Sequence, residues 1–343
     1  MRLPQPRFPG SVDGGRTQVG VPGGVSVHRM KRAIFAVVLL LALALPVALA
    51  ELAMRWIGLG DPVVYYTNAS YRYAPAPDQR RERRDSAVVT MDADGLRGLE
   101  PWGAEADQHI LFLGDSVTWG GTNTDDAATF AARTCTRLEE QRGGNLICGN
   151  GGVNGYGVDN VTARLRFDPA VSRADSIVVT VITVDATRGL SDLKSSYFYS
   201  ARPHGPLKAL WELSGFALFY GSGKLRLDRS AHEARDDMPV LNESLLRLYQ
   251  ALRNAQQQGK QVLIVFSPIA AELEGAEGPL THAVRASIQN SGLPSLDLTE
   301  PMAARRNEDL YYDGVHLNSA GHELYAGWIA EALDRPTLAS QQF

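Results

Sequence analysis

The stretch Ile110-Leu-Phe-Leu-Gly-Asp-Ser-Val-Thr-Trp-Gly120 reads as a short buried strand that runs directly into a turn carrying a serine. An apolar run with no polar alternation is what a strand covered on both faces requires, and such strands belong to parallel sheets. The turn that leaves the carboxyl end of a strand is where open α/β sheets collect their ligands. Far downstream, Asp313-Gly-Val-His316 places an aspartate and a histidine three residues apart. Serine, histidine and aspartate together are the residue types of nucleophilic acyl transfer. A serine hydroxyl is a poor nucleophile until a base takes its proton, and a carboxylate fixes the tautomer of that base.

The surrounding sequence alternates strand and helix from about residue 107. Asp125 or Asp126 suits the N-cap of a helix reaching about Gln141. Residues 145–148 predict a second strand, followed by a glycine loop over 149–157 and a helix over 159–167. Residues 176–184 are almost wholly apolar and β-branched, as in the middle of a sheet. A clear amphipathic helix over 241–258 is ended by Gly259. A strand over 262–266, a helix over 278–291, a strand over 294–298 and a closing helix over 319–333 follow. This rhythm implies right-handed crossovers and a three-layer α/β/α sandwich around a central, mostly parallel sheet. Residues 186–240 break the rhythm and read as an insertion: a lid, a membrane-facing cover, or ordinary packing over the sheet.

Composition bounds the function. The chain has 343 residues, 44% of them hydrophobic, and a formal net charge of −4. That charge gives no electrostatic reason to expect nucleic acid as a partner. The two cysteines, Cys135 and Cys148, fit neither a disulfide-dense scaffold nor a zinc cluster, and no metal site is expected. A disulfide between them and two buried thiols are both compatible with the spacing.

The amino-terminal part has its own logic. Residues 1–29 show no usable periodicity and are expected to be disordered. Met30-Lys-Arg32 then precedes an unbroken apolar run from Ala33 to Ala50. Basic residues ahead of such a run mark an export signal or a single anchor, with the following domain outside the cytoplasm. Ala48-Leu-Ala50 resembles a cleavage site, so removal and retention are both open; an uncleaved transmembrane helix over 30–54 is the preferred reading. Met30 itself could serve as the start. Residues 55–105 read as a juxtamembrane linker, with Arg80-Arg-Glu-Arg-Arg84 as a solvated charge run. The catalytic domain is expected over 106–335, with a tail over 336–343.

Competing motifs fail. The nucleophile elbow G-x-S-x-G would need glycine where Thr118 stands, and the dinucleotide fingerprint would need glycine at Asn154. The motifs present resemble those of the SGNH/GDSL hydrolases. Gly114-Asp-Ser116 resembles the block that carries the nucleophile. Asn150-Gly-Gly-Val-Asn-Gly155 resembles the block in which a glycine N–H lines the oxyanion hole, with Gly155 at the matching position. Asp313-Gly-Val-His316 resembles the last block. Glu51-Leu-Ala-Met-Arg-Trp-Ile-Gly-Leu-Gly-Asp-Pro62 and Asp94-Gly-Leu-Arg-Gly98 resemble a membrane-anchored bacterial branch. The resemblance implies a flavodoxin-like α/β/α sandwich, esterase chemistry, no cofactor, and a place in the bacterial inner membrane with the catalytic domain outside.

One block departs from the pattern. The family's third block presents an asparagine that donates to the oxyanion, and Asp185 stands at that position. A carboxylate repels an oxyanion, so Asp185 must be protonated, turned away, or replaced by a donor such as Asn154, and Asp185→Asn is expected to raise turnover. His322 is expected on a helix surface, His204 and His232 in solvent, and Asp115 in the serine turn as a shaping residue. The implied activity is an extracytoplasmic serine esterase that removes acyl groups, acetyl foremost, from an acylated carbohydrate or small ester. An O-acyltransferase using the same serine, and a catalytically decayed membrane-tethered polysaccharide-binding module, are the alternatives.

Overall fold

The computed structural model describes residues 27–83, 86–193, 198–218, 238–275 and 277–335. The chain divides into two compact units, one ending at Leu49 and the other beginning at Ala50. Helix α1, Val27–Trp56, supplies the described part of the first unit and continues into the second. Among the described residues it is the helix long and apolar enough to cross a membrane. It starts at Val27, inside the stretch expected to be disordered, because Met30, Lys31 and Arg32 are themselves good helix formers. The rest of that stretch, residues 1–26, and the tail over 336–343 lie outside the described residues.

The second unit opens with two antiparallel hairpins. Strand β1 (Tyr65–Asn68) pairs with β2 (Arg72–Pro75), and β3 (Gln79–Glu82) with β4 (Val88–Met91). Then come β5 (Gln108–Leu113), β6 (Leu146–Asn150), β7 (Ser176–Val181), β8 (Gln261–Phe266) and β9 (Ser295–Asp297). These five form one parallel sheet in the order β6-β5-β7-β8-β9. The helices of this unit used below are α2 (Ser116–Trp119), α3 (Phe130–Arg142), α4 (Val158–Phe167), α5 (residues 208–218), α6 (Met238–Gln257), α7 (Pro279–Gln289) and α8 (Ser319–Asp334).

Successive side chains of a strand point to opposite faces, and here both faces are apolar. Ile110, Phe112, Val178, Leu263 and Val265 share one core cluster with Phe130 and Leu138 of α3 and Tyr325 and Ile329 of α8. Leu111, Leu113, Ile177, Val179, Val262 and Ile264 share the other with α4, α6 and α7, through Val161, Leu248 and Val284. Burial on both faces explains why these strands show no alternation in sequence. The result is the three-layer α/β/α sandwich. The strand order places a topological switch between β5 and β7, and the crevice at their carboxyl ends is the natural site of such a sheet.

Four local features differ from or sharpen the sequence reading. Asp125 caps only a short 3₁₀ turn, Asp126–Ala128, and Thr129 caps α3, because its hydroxyl accepts the Ala132 N–H. Residues 55–105, read as a linker, are folded into the second unit, with Tyr65, Tyr73, Val89, Met91, Leu96 and Trp102 all buried. The charge run is not a solvated face at Arg81 and Arg83. Both are buried, because alternate residues of β3 face inward and because Arg81 finds the Pro62 carbonyl and Arg83 pairs with Glu212 at 2.5 Å. Cys135 of α3 and Cys148 of β6 form a disulfide.

Part of the stretch 186–240, read as an insertion, lies within the described residues. Phe198 stacks against Tyr65 with ring centroids 4.3 Å apart, and Tyr199 bridges to Val64, so this part packs on the first hairpin. Helix α5 follows. His204 is exposed, as expected. Residues 194–197 and 219–237, His232 among them, lie outside the described residues.

Candidate active site

The serine turn is made by close packing. An added Cβ at Gly114 would lie 2.1 Å from Thr118 Oγ1 and 2.9 Å from the Thr180 carbonyl of β7, so only glycine fits. Asp115 shapes the turn as expected: its carboxylate accepts the Val117 N–H at 2.9 Å and caps α2. Ser116 is therefore the first residue of α2, half-buried at the carboxyl edge of β5.

The glycine loop after β6 is fastened to this turn. Asn150 Nδ2 donates to the Thr118 carbonyl at 2.7 Å, and its Oδ1 accepts the Gly152 N–H at 2.9 Å. The Val153 N–H donates to the Gly114 carbonyl at 3.1 Å. A Cβ at Gly152 would fall 2.3 Å from the Trp119 nitrogen. Beyond it, Gly155 has φ +75° and, like Asn154, is half-buried. The Asn154 carbonyl accepts the Tyr73 hydroxyl at 2.8 Å, which ties the loop to the second hairpin strand.

The segment after β9 brings the remaining pair to Ser116. His316 Nε2 lies 2.8 Å from Ser116 Oγ, and His316 Nδ1 lies 2.8 Å from Asp313 Oδ2. Asp313 Oδ1 also accepts the backbone N–H groups of Val315 at 3.1 Å and His316 at 2.9 Å. Partial burial pushes the Asp313 carboxyl up, but these amides and the imidazole outweigh it and hold the group below the usual carboxylate range. An ionised Asp313 places the proton on Nδ1 and leaves the Nε2 lone pair facing the serine hydroxyl. Ser116 Oγ is also 3.3 Å from Asp115 Oδ2, a longer contact than that to the imidazole.

Asp185 follows β7 in a 3₁₀ turn, Thr183–Ala186, on the other side of the switch point. Its Oδ2 accepts the Ile182 N–H at 3.2 Å and its Oδ1 accepts Arg188 Nη1 at 2.8 Å. Arg188 Nη1 also lies 3.5 Å from Asp115 Oδ2 and donates to the Tyr156 carbonyl at 3.0 Å. Burial, and then repulsion from Asp115, drive the Asp185 carboxyl well above its ordinary range despite Arg188. Two carboxyl groups and one guanidinium thus sit behind the serine turn. Arg188 was missed from the sequence, although its spacing of three from Asp185 in a helical turn is a readable ion-pair signal.

Arg97 was also missed. It is 1% exposed, pairs with Asp126 at 2.7 Å, and donates to the carbonyls of Trp119 at 2.8 Å, Gly121 at 2.7 Å and Thr124. The chain leaving α2 is therefore held by a buried guanidinium from the Asp94–Gly98 segment. His322 corrects the surface assignment: it is fully buried beneath Gly120, and its Nδ1 accepts the Phe130 N–H at 3.1 Å. Burial, with Arg97 and Arg133 nearby, pushes this imidazole down to about 3. Helix α8 turns His322 inward because Tyr325, Ala326 and Ile329 on the same face also point at α3. A depression lined by Trp102, Asp107, His109, Asn145 and Arg173 opens at the amino-terminal edge of β5 and β6, the edge opposite Ser116.

No curated protein sequence matches the chain. Among solved structures, the acetyl xylan esterase AlAXEase is similar with TM-score 0.44 and 16% identity, over 66% of this chain and 99% of that one. An acetylxylan esterase from Geobacillus stearothermophilus is similar with TM-score 0.44 and 13% identity, over 67% of this chain and 96% of the other. A two-domain esterase active on acetylated mannans is similar with TM-score 0.42 and 17% identity, over 66% of this chain and 49% of the other. The model of the GDSL-like lipase/acylhydrolase family matches residues 112–324, which is more than half the chain and runs from the strand before the serine to the helix after the histidine. The chain belongs to the GDSL-like lipase/acylhydrolase family and is a hydrolase of ester bonds.

Proposed function

We propose that Ser116, His316 and Asp313 act as the nucleophile, the general base and its orienting carboxylate of a serine esterase. The observation that carries this reading is the unbroken hydrogen-bond relay of 2.8 Å from Ser116 Oγ to His316 and 2.8 Å from His316 to Asp313. In the acylation step Ser116 Oγ attacks the ester carbonyl carbon while its proton passes to His316 Nε2. The tetrahedral intermediate then expels the alcohol, which takes that proton. Water repeats the sequence on the acyl-serine and releases the acid.

The developing oxyanion needs preorganised donors. The backbone N–H groups of Ser116 and Gly155 are our candidates, with the Asn154 side chain as a third. Asp185, with both oxygens engaged by Ile182 and Arg188, takes the part of a positioning group behind the turn rather than that of a donor. The side chains of His316 and Asp313 are 36% and 49% exposed. So open a relay suits a small acyl group, acetyl foremost, presented by a bulky polar molecule such as an acylated carbohydrate. We further infer that α1 remains as an anchor and holds the second unit outside the cytoplasm of a bacterial cell. The basic residues ahead of the apolar run support that orientation.

The test is hydrolysis of p-nitrophenyl acetate and of acetylated oligosaccharides by the whole chain in detergent, with Ser116→Ala as control. Labelling of Ser116 by a fluorophosphonate probe is expected. Equal turnover in the parent and in Ser116→Ala sinks the assignment. Acyl transfer that appears only when a sugar acceptor is supplied moves it to an O-acyltransferase.

A further inference from the structure

Glu51 is the first residue past the apolar run that ends at Ala50. It does not face solvent. Its carboxylate accepts the backbone N–H groups of Ala209 at 3.0 Å and Leu210 at 2.9 Å, which belong to the first turn of α5. These amides have no partner within their own helix, so a carboxylate there satisfies them and suits the helix dipole. Arg55, one turn on, donates to Glu51 at 2.7 Å and to the Pro206 carbonyl at 2.7 Å. At the other side of α5, Glu212 accepts the Gly60 N–H and pairs with Arg83. Helix α5 is thereby fixed, across more than 150 residues of sequence, to the point where the apolar run stops.

Helix α5 exposes more apolar surface than a helix in water needs. Its inner face buries Ala209 and Glu212. Yet Trp211, Leu213, Phe216 and Leu218 of the same helix are 55%, 39%, 49% and 75% exposed, and Leu207, the residue just ahead of it, is 45% exposed. Trp56, at the end of α1, is 89% exposed. Arg55, Arg202 and Lys208 lie in the same two segments. An apolar helix face with tryptophan at its edge and cations around it is the composition of an interfacial helix. The cations match the charge of anionic headgroups.

We propose that α5 docks on the outer surface of the bilayer that holds α1, with Leu207, Trp211 and Leu218 entering the headgroup region. The proposal rests on the anchor reading given above. It gives the second unit an attachment to the bilayer besides its covalent link to α1 at Ala50.

The test uses the whole chain reconstituted into vesicles of phosphatidylethanolamine and phosphatidylglycerol. Both native cysteines are in the disulfide, so a single introduced cysteine takes an environment-sensitive NBD label without reduction. Leu218→Cys is the reporting site, and Leu246→Cys on α6, also exposed, is the control. In vesicles, relative to detergent-free nanodiscs lacking anionic lipid, the label at 218 is expected to brighten by about two-fold or more and to be quenched by headgroup-proximal spin-labelled lipid. The label at 246 is expected to do neither. A chain that stays with the vesicles through alkaline extraction while the 218 label behaves like the 246 label overturns the docking and leaves the anchor standing. A chain that alkali releases overturns the anchor, and the docking with it.

Discussion

Replacing Asp185 by asparagine keeps the shape of the side chain and removes its charge. Two consequences can be worked out. The first concerns stability. Burial and Asp115 raise the Asp185 carboxyl well above its ordinary range. A carboxyl whose folded pKa is raised contributes stability at low pH that is lost as pH rises towards the folded value, at about 1.4 kcal/mol per pH unit. Asparagine escapes that loss, so Asp185→Asn is expected to gain stability relative to the parent as pH rises from the acid range. Against this stands the pair with Arg188 at 2.8 Å. The Arg188 side chain is 30% exposed, so after solvent screening its loss costs about 1 kcal/mol. The second consequence concerns rate. One oxyanion donor is worth on the order of 10²–10³ in kcat. An amide at 185 becomes such a donor only by turning away from Arg188, and about 1.4 kcal/mol for that reorientation removes roughly one factor of ten. The expected gain in kcat is therefore about 10- to 100-fold, with KM little changed. The assay is p-nitrophenyl acetate hydrolysis across the neutral to mildly alkaline range, with melting temperature measured on the same samples. A variant that melts no lower than the parent and is slower at every pH refutes the reasoning, because an amide at 185 then adds no oxyanion donor.

Asp313→Asn leaves the relay geometry in place but favours the wrong imidazole tautomer; kcat is expected to fall by about 10⁴, read in the same ester assay. His322→Gln tests the buried neutral imidazole. Its pKa of about 3, against an ordinary 6.5, means that the parent loses stability as pH falls from 6.5 towards 3. The slope is about 1.4 kcal/mol per pH unit, and the variant is expected to lose that slope in a series of urea titrations. Reduction of Cys135–Cys148, which are 13 residues apart, is expected to cost about 3 kcal/mol by loop entropy, measured by denaturation with and without reductant. Arg97→Met leaves Asp126 buried without its partner and the Trp119 and Gly121 carbonyls without a donor. A loss of about 3–5 kcal/mol is expected, with activity falling as the serine turn loosens.

Much of the sheet was legible because its strands announce themselves. Residues 110–113 and 262–266 are apolar throughout and 176–181 are so except at Ser176 and Thr180, and a strand buried on both faces is what such a composition suits. The serine, the glycine loop and the Asp313–His316 segment were legible because each follows a strand end, and the fold rule for open α/β sheets carries such positions to one edge. The lead-in over 55–105 was misread for the opposite reason. Its strands are four residues long and half of their pattern is polar, so Arg80-Arg-Glu-Arg-Arg84 looked like a solvated run. Burial of Arg81 and Arg83 is decided by partners in other parts of the chain, Pro62 and Glu212, which no local window contains.

The sequence by itself determined the α/β class, the three chemistry-bearing segments and the apolar helix near the amino terminus, because periodicity, turn chemistry and length are local properties of the chain. Only the tertiary structure decided what those side chains meet. It closed Ser116, His316 and Asp313 into one relay across 200 residues. It turned Asp185 towards Arg188 and Asp115, buried His322, and set Glu51 on the amides of α5. A charge or an imidazole has no fixed role until its desolvation and its partners are set, and those come from residues that are distant in sequence.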